Sequence, residues 1–155
     1  MKRILLILSV CSLLISGSGC IKDVGCQNKT VQSEQAAILA YATANSITAT
    51  AHSSGMYYQV INAGSGPTPS LTSRVSVRYT GKLMDGTVFD TQTGTPVTFT
   101  LGGVIHGWQL GLQLIQKGGT IKLIVPSSLA YGCSGYGAIP GNAILYFEIQ
   151  LVDVL

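Results

Sequence analysis

The chain has 155 residues, enough for one domain with an appendage and a modest core. Its net charge of +3 comes mostly from Lys2 and Arg3, and only 10% of the residues are charged. Without those two the chain is near neutral, which excludes the basic footprint of a nucleic-acid binder or a membrane-surface patch.

Residues 1–19 read as an export signal. Lys2 and Arg3 are followed by an apolar run from Ile4 to Ile15, then by Ser16, Gly17, Ser18 and Gly19. The run is about 12 residues, short of the ~18–20 that span a bilayer. Cys20 follows the small residues directly, and this resembles a bacterial lipoprotein signal with Cys20 as the lipidation site. An aliphatic residue usually stands where Gly17 is, and the alternative is ordinary signal cleavage. Residues 20–32 are polar and unpatterned, a tether.

Ala37, Ile38, Tyr41 and Ala42 recur at helical spacing, with Glu34 in the first turn, where a carboxylate suits the helix dipole. The pattern predicts a helix over Ser33–Asn45, within an extension covering 33–54. A domain then runs over 55–155. "MYYQVIN" is a strand candidate. "RVSVRYT" alternates, with Val75, Val77 and Tyr79 on one face and Arg74, Ser76, Arg78 and Thr80 on the other. Asp85-Gly86 marks a hairpin turn, and "PVTFTL" is a further short strand.

Trp108, Leu112 and Ile115 share a helical face, and Lys117 with Gly118 suits a helix end. "TIKLIVP" and "AILYFEIQLVDV" are the last strands, the second with Leu145, Phe147, Ile149 and Leu151 on one face. Between them lies a glycine-rich loop. The pattern predicts an α+β fold, an antiparallel sheet of about five strands with one short helix across its apolar face.

Four cysteines are present. Cys11 leaves with the signal and Cys20 is the lipid candidate. Cys26 and Cys133 remain as an even pair, for which an oxidising compartment permits a disulfide. His52 and His106 are isolated, and no cysteine or histidine spacing suits a metal. Nucleophile elbows, phosphate loops and dinucleotide fingerprints are missing from the sequence. Phe89, Phe99, Trp108, Tyr131 and Phe147 either line a cavity or all belong to the core.

Four stretches occur in order: "VSVRYTGKLMDGTVFD", "VIHGW", "GLQLIQKGGTIKLIVPSSLAYG" and "AIPGNAILYFEIQLVDV". Together they resemble an FK506-binding-protein-type peptidyl-prolyl cis–trans isomerase. The resemblance implies a twisted sheet wrapped around the helix, with a substrate pocket between them. It implies that Trp108 forms the pocket floor and that Gly107 lets the chain turn sharply into the helix. Tyr79, Phe89, Asp90, Val104, Ile105, Tyr131, Ile139 and Phe147 match its pocket positions. Phe99 matches a nearby core position, Val97 stands where a phenylalanine is frequent, and Tyr136 falls near an often aromatic loop tip.

By the same resemblance, Tyr131 bonds a substrate carbonyl, and Asp90 orients Tyr79 or contacts the rotating carbonyl. The implied substrates are X–Pro bonds of unfolded or exported polypeptides. Macrolide inhibitors are implied as ligands, and no metal or cofactor is required. The implied location is the bacterial envelope, as a lipid-anchored or soluble periplasmic protein. A Cys26–Cys133 bond would pin the tether against the loop that carries Tyr131.

The chain departs from the family pattern after Asp90, where a basic residue is missing, at Val97, in the shortened "FTLGGVI", and at Gly141, which replaces a proline. These departures support a second reading, a proline-peptide binding module or holdase with little turnover.

Overall fold

A computed structural model describes residues 25–155. The signal segment and Cys20 lie outside the described residues. Helix α1 spans Val31–Ala44 and helix α2 His106–Leu112. The strands are β1 Thr50–Ala51, β2 Tyr57–Asn62, β3 Arg74–Leu83, β4 Val88–Thr100, β5 Thr120–Val125 and β6 Leu145–Val154. All pair antiparallel, in the order β1-β2-β5-β6-β3-β4. The very short β1 is the strand beyond the expected five.

The alternation in the sequence becomes the two faces of this sheet. Val75 and Val77 on β3, Ile121, Leu123 and Val125 on β5, and Leu145, Phe147, Ile149 and Leu151 on β6 are buried in one cluster. Trp108 and Leu112 of α2 close that cluster. The opposite face of β5 and β6 is not left wet. Ile124 and Tyr146 pack with Ile38 and Ala42 of α1 and with Ile47 and Tyr57 in a second cluster. The helix predicted as an appendage therefore covers the back of the sheet. It starts two residues earlier than its apolar pattern suggests, because the Thr30 side chain accepts from the Ser33 amide at 3.2 Å and caps it.

Three expectations are corrected. "TVFD" and "PVTFTL" are not separate strands: β4 is continuous for 13 residues. Its pairing with β3 shifts register between Val77 and Tyr79, so no single alternation runs through it. The second helix does not reach Lys117. After Leu112 the chain tightens, with Leu114 N–H donating to the Gly111 carbonyl at 3.1 Å. The amides of Gln116 and Lys117 then donate to Ala63 and Pro67, at 2.7 and 3.0 Å. A distant loop takes the donors that another helical turn would need. Ile115 stays buried past the helix end, which is why the helical spacing reads on through it.

Gly107 is the third correction. It sits inside α2, not at a turn before it. A Cβ at this position would collide with the Cγ1 of Val125 and lie 2.9 Å from its Cγ2. One helical turn on, a Cβ at Gly111 would lie 2.5 and 2.7 Å from the two Leu123 methyl carbons. The two glycines let α2 lie directly on β5, which sets the depth of Trp108. Alanine would gain helix propensity, up to about 1 kcal/mol, against overpacking of about 1–3 kcal/mol. Overpacking wins most clearly at Gly107, because β-branched Val125 is stiff at χ1 and cannot swing aside as Leu123 can.

Candidate active site

A cavity of about 320 Å³ opens between α2 and the sheet. Its size falls at the small end of ligand sites. Trp108 forms part of its lining and is itself only 5% exposed. Three rings hold the indole. Tyr79 from β3 and Phe147 from β6 meet it edge-on, with centroids at 5.0 and 5.2 Å. Phe99 from β4 is tilted against it at 5.7 Å. Phe89 stands edge-on to Phe147 at 5.6 Å. Such tilted and T-shaped pairs suit the ring quadrupoles and fix the walls. The Trp108 Nε1 is buried with no hydrogen-bond partner among the described residues. A purely structural core position does not ordinarily carry that cost, about 1–3 kcal/mol.

The remaining wall comes from Val97 on β4, and from Gly103, Val104 and Ile105 ahead of α2. Gln109 on α2 pins this last segment, its Nε2 donating to the Val104 carbonyl at 2.8 Å and to that of Gly102 at 3.2 Å. Asp90 supplies the carboxylate of the pocket. The Tyr79 hydroxyl donates to its Oδ2 at 2.5 Å. Burial, and then the Asp90 carboxylate, hold the Tyr79 phenol well above its ordinary value. Burial chiefly, with Tyr136 and Asp90, raises Tyr131 as well. Both phenols are therefore neutral donors through the physiological range.

The structure thus places Tyr79, Phe89, Asp90, Val97, Phe99, Val104, Ile105, Trp108, Tyr131 and Phe147 around one cavity. Ile139 and Tyr136 are not in it. They line an adjoining depression, which shares Phe89, Asp90 and Tyr131 as its wall. Tyr136 is 70% exposed and stacks on Tyr131 at 5.1 Å. Ile139 is buried and bridges to Tyr136 through paired backbone hydrogen bonds of 2.9 and 2.8 Å.

Sequence reasoning missed Gln109, Gly103 and Gly81. A Cβ at Gly81 would lie 2.7 Å from Phe89 and 2.9 Å from Phe147, so its absence admits the aromatic pair. The glycine of "YTG" was the available signal. Cys26 and Cys133 are joined as a disulfide, with Cα atoms 5.4 Å apart. His52 bonds locally, its Nδ1 lying 2.9 Å from the Ser54 hydroxyl. Among the described residues no group of three or more His, Cys, Asp or Glu side chains is placed to hold a metal.

The structure therefore has an apolar, aromatic-lined hollow, with Asp90 and two neutral phenols in its wall, between an antiparallel sheet and a short helix. Residues 66–152 match the FKBP-type peptidyl-prolyl cis-trans isomerase family, and the chain belongs to that family. It is 48% identical over 104 residues to the FKBP-type peptidyl-prolyl cis-trans isomerase FkpA of Escherichia coli strain K12, covering 66% of this chain and 38% of that protein. The crystal structure of FkpA from Escherichia coli superposes with a TM-score of 0.72 at 40% identity, covering 81% of this chain and 60% of that one. A peptidyl-prolyl cis-trans isomerase structure from Pseudomonas syringae pv. tomato superposes with a TM-score of 0.68 at 33% identity, covering 83% of this chain and 98% of that one. The chain spans well under two thirds of the length of the FkpA protein it matches. No helix among the described residues is long and apolar enough to cross a membrane.

Proposed function

We propose that this chain catalyses cis–trans isomerisation of X–Pro peptide bonds. The observation that carries this reading is the apolar cavity over Trp108, rimmed by the Tyr79–Asp90 pair and Tyr131. Rotation about a prolyl amide breaks no covalent bond, and its barrier of roughly 18–20 kcal/mol is lost resonance. The twisted amide carries less charge at oxygen than the planar one. A dry aromatic pocket therefore binds the twisted form better than the flat form, and that difference lowers the barrier. In this reading the proline ring rests on Trp108 between Phe89, Val104, Ile105 and Phe147. Tyr131 donates to a substrate carbonyl. Asp90 fixes the Tyr79 hydroxyl, so that no stray donor competes for the rotating carbonyl. The same pocket suits macrolide ligands, and the departure at Val97 bears on their affinity.

The test is a protease-coupled assay on an X–Pro peptide, run across pH. The expected result is isomerisation well above the uncatalysed rate and level from about pH 7 to about pH 9, below the ordinary tyrosine value near 10. The linkage has a definite sign. Raised folded-state values for Tyr79 and Tyr131 leave stability whole below 10.0, where the unfolded phenols are still neutral. Above 10.0 the unfolded chain ionises first, and stability falls as pH climbs toward the folded values. Proline-peptide binding with only the background rate would instead favour the binding module.

The substrates in this reading are prolines of exported polypeptides. The Lys2–Arg3 start, the apolar run and Cys20 support export and lipid anchoring in a bacterial envelope. Full-length protein is expected in the membrane fraction, and a Cys20→Ser variant in the soluble envelope fraction. Equal partition of the two would remove the lipid anchor.

A further inference from the structure

Glu34 is buried on α1, 2% exposed, on the face that packs against the back of the sheet. Its partner is 93 residues away. Oε2 accepts from the Ser127 amide at 2.9 Å, and Oε1 accepts from the Ser127 hydroxyl at 2.7 Å. Ser127 is fully buried and opens the short 3-10 turn Ser127–Leu129, which leads into Tyr131. No ion pair reaches Glu34 among the described residues. A leucine here would simply extend the apolar face of Ile38 and Ala42. A buried carboxylate is costly unless its hydrogen bonds are good, and it gives direction in return.

The rest of the arm grips the same loop further along. Asn28 Oδ1 accepts from the Cys133 amide at 2.8 Å beside the disulfide. Asn142 Nδ2 donates to the Gln27 carbonyl at 3.0 Å, and Asn142 Oδ1 accepts from the Lys29 amide at 3.1 Å. The loop that carries Tyr131 is thus held at its start, middle and end by residues 26–34, all outside the stretch that matches the family.

We propose that Glu34 is a positioning residue for isomerisation, aiming the Tyr131 hydroxyl into the pocket by fixing the turn at Ser127. This rests on the isomerase reading above. A displacement of about 1 Å at a reacting group can cost up to about a hundredfold in rate. A loss near tenfold is therefore expected from an altered turn.

The experiment is a double-mutant cycle on the full chain. Glu34→Gln and Ser127→Ala are each made alone and with Tyr131→Phe, and kcat/KM is measured together with amide hydrogen exchange. Glu34→Gln is expected to lower kcat/KM about tenfold with Tyr131 present and by less than twofold in the Tyr131→Phe background. Ser127→Ala, which leaves the amide bond in place, is expected to show the same pattern at smaller size. Exchange should quicken at residues 127–134 while β5 and β6 stay protected.

Equal losses in both backgrounds would overturn the proposal, since Glu34 would then act on the fold as a whole. So would an unchanged rate in Glu34→Gln, or a Tyr131→Phe variant as fast as the parent. If the parent itself shows only background isomerisation, the isomerase reading fails and with it the role in turnover. The exchange pattern then reports separately whether Glu34 holds the loop.

Discussion

Replacing Trp108 by alanine is expected to lower stability by about 3–5 kcal/mol, the usual cost of emptying a buried aromatic site, and to reduce the proposed isomerisation at least tenfold. The two effects share a cause. The indole packs from α2 against Tyr79, Phe99 and Phe147 of the sheet, and the same ring is part of the pocket lining. Typical domain stabilities are only about 5–15 kcal/mol, so a loss of this size alone removes much of the folded population. Alanine therefore cannot separate scaffold from site. Trp108→Phe does, because phenylalanine keeps a flat ring against Tyr79, Phe99 and Phe147 and leaves a smaller void. Urea denaturation should show a clearly smaller loss for Trp108→Phe than for alanine. The rate, measured where the variant is fully folded, should remain well below the parent. A Trp108→Phe variant with the full parental rate would show that the indole matters only for packing.

What could be read from the sequence follows the range of the interactions involved. The period of two in "RVSVRYT" and in the last strand is local and strong, because one face of each strand meets the same core. The Asp85-Gly86 turn is also local: the Asp85 carboxylate accepts from the Thr87 amide at 2.8 Å, and Gly86 takes a φ of 90°. The features that misread are set from far away. Helix α2 stops where the loop at Ala63 and Pro67 captures its next amides. Strand β4 is largely exposed and changes register, so it carries no clean alternation. Gly107 looks like turn chemistry until the methyls of Val125 are placed beneath it. Glu34 looks like an ordinary first-turn acid, and nothing near it in sequence points to Ser127. Most pocket positions are legible only through the four linked motifs, not through any property of one residue. Ile139 belongs to the last of those motifs and Tyr136 lies just before it, yet the bridge between them turns their loop toward the neighbouring depression.

Reduction of Cys26–Cys133, or serine at both positions, is expected to lower stability by about 2–4 kcal/mol. The cross-link spans 107 residues of sequence, most of the described chain, so it restricts the unfolded ensemble strongly. Chain-entropy arithmetic for a loop near that length gives up to about 4.7 kcal/mol, and measured values usually fall below it. The folded state loses less, because the arm is also held by Asn28, Asn142 and the buried Glu34 carboxylate. The effect should therefore sit on the unfolded side of the equilibrium. The denaturation midpoint should fall on adding reductant, while the proposed isomerisation by the folded protein changes by less than about twofold, within the scatter expected for sites that do not couple. Urea titrations with and without reductant, paired with a thiol count, measure both quantities. A reduced protein with the same midpoint would mean that the bond shifts the folded and the unfolded chain by equal amounts, against a restraint that acts mainly on the unfolded ensemble. A reduced protein with unchanged stability but a large loss of rate would place the restraint on the Tyr131 loop itself and not on the unfolded chain.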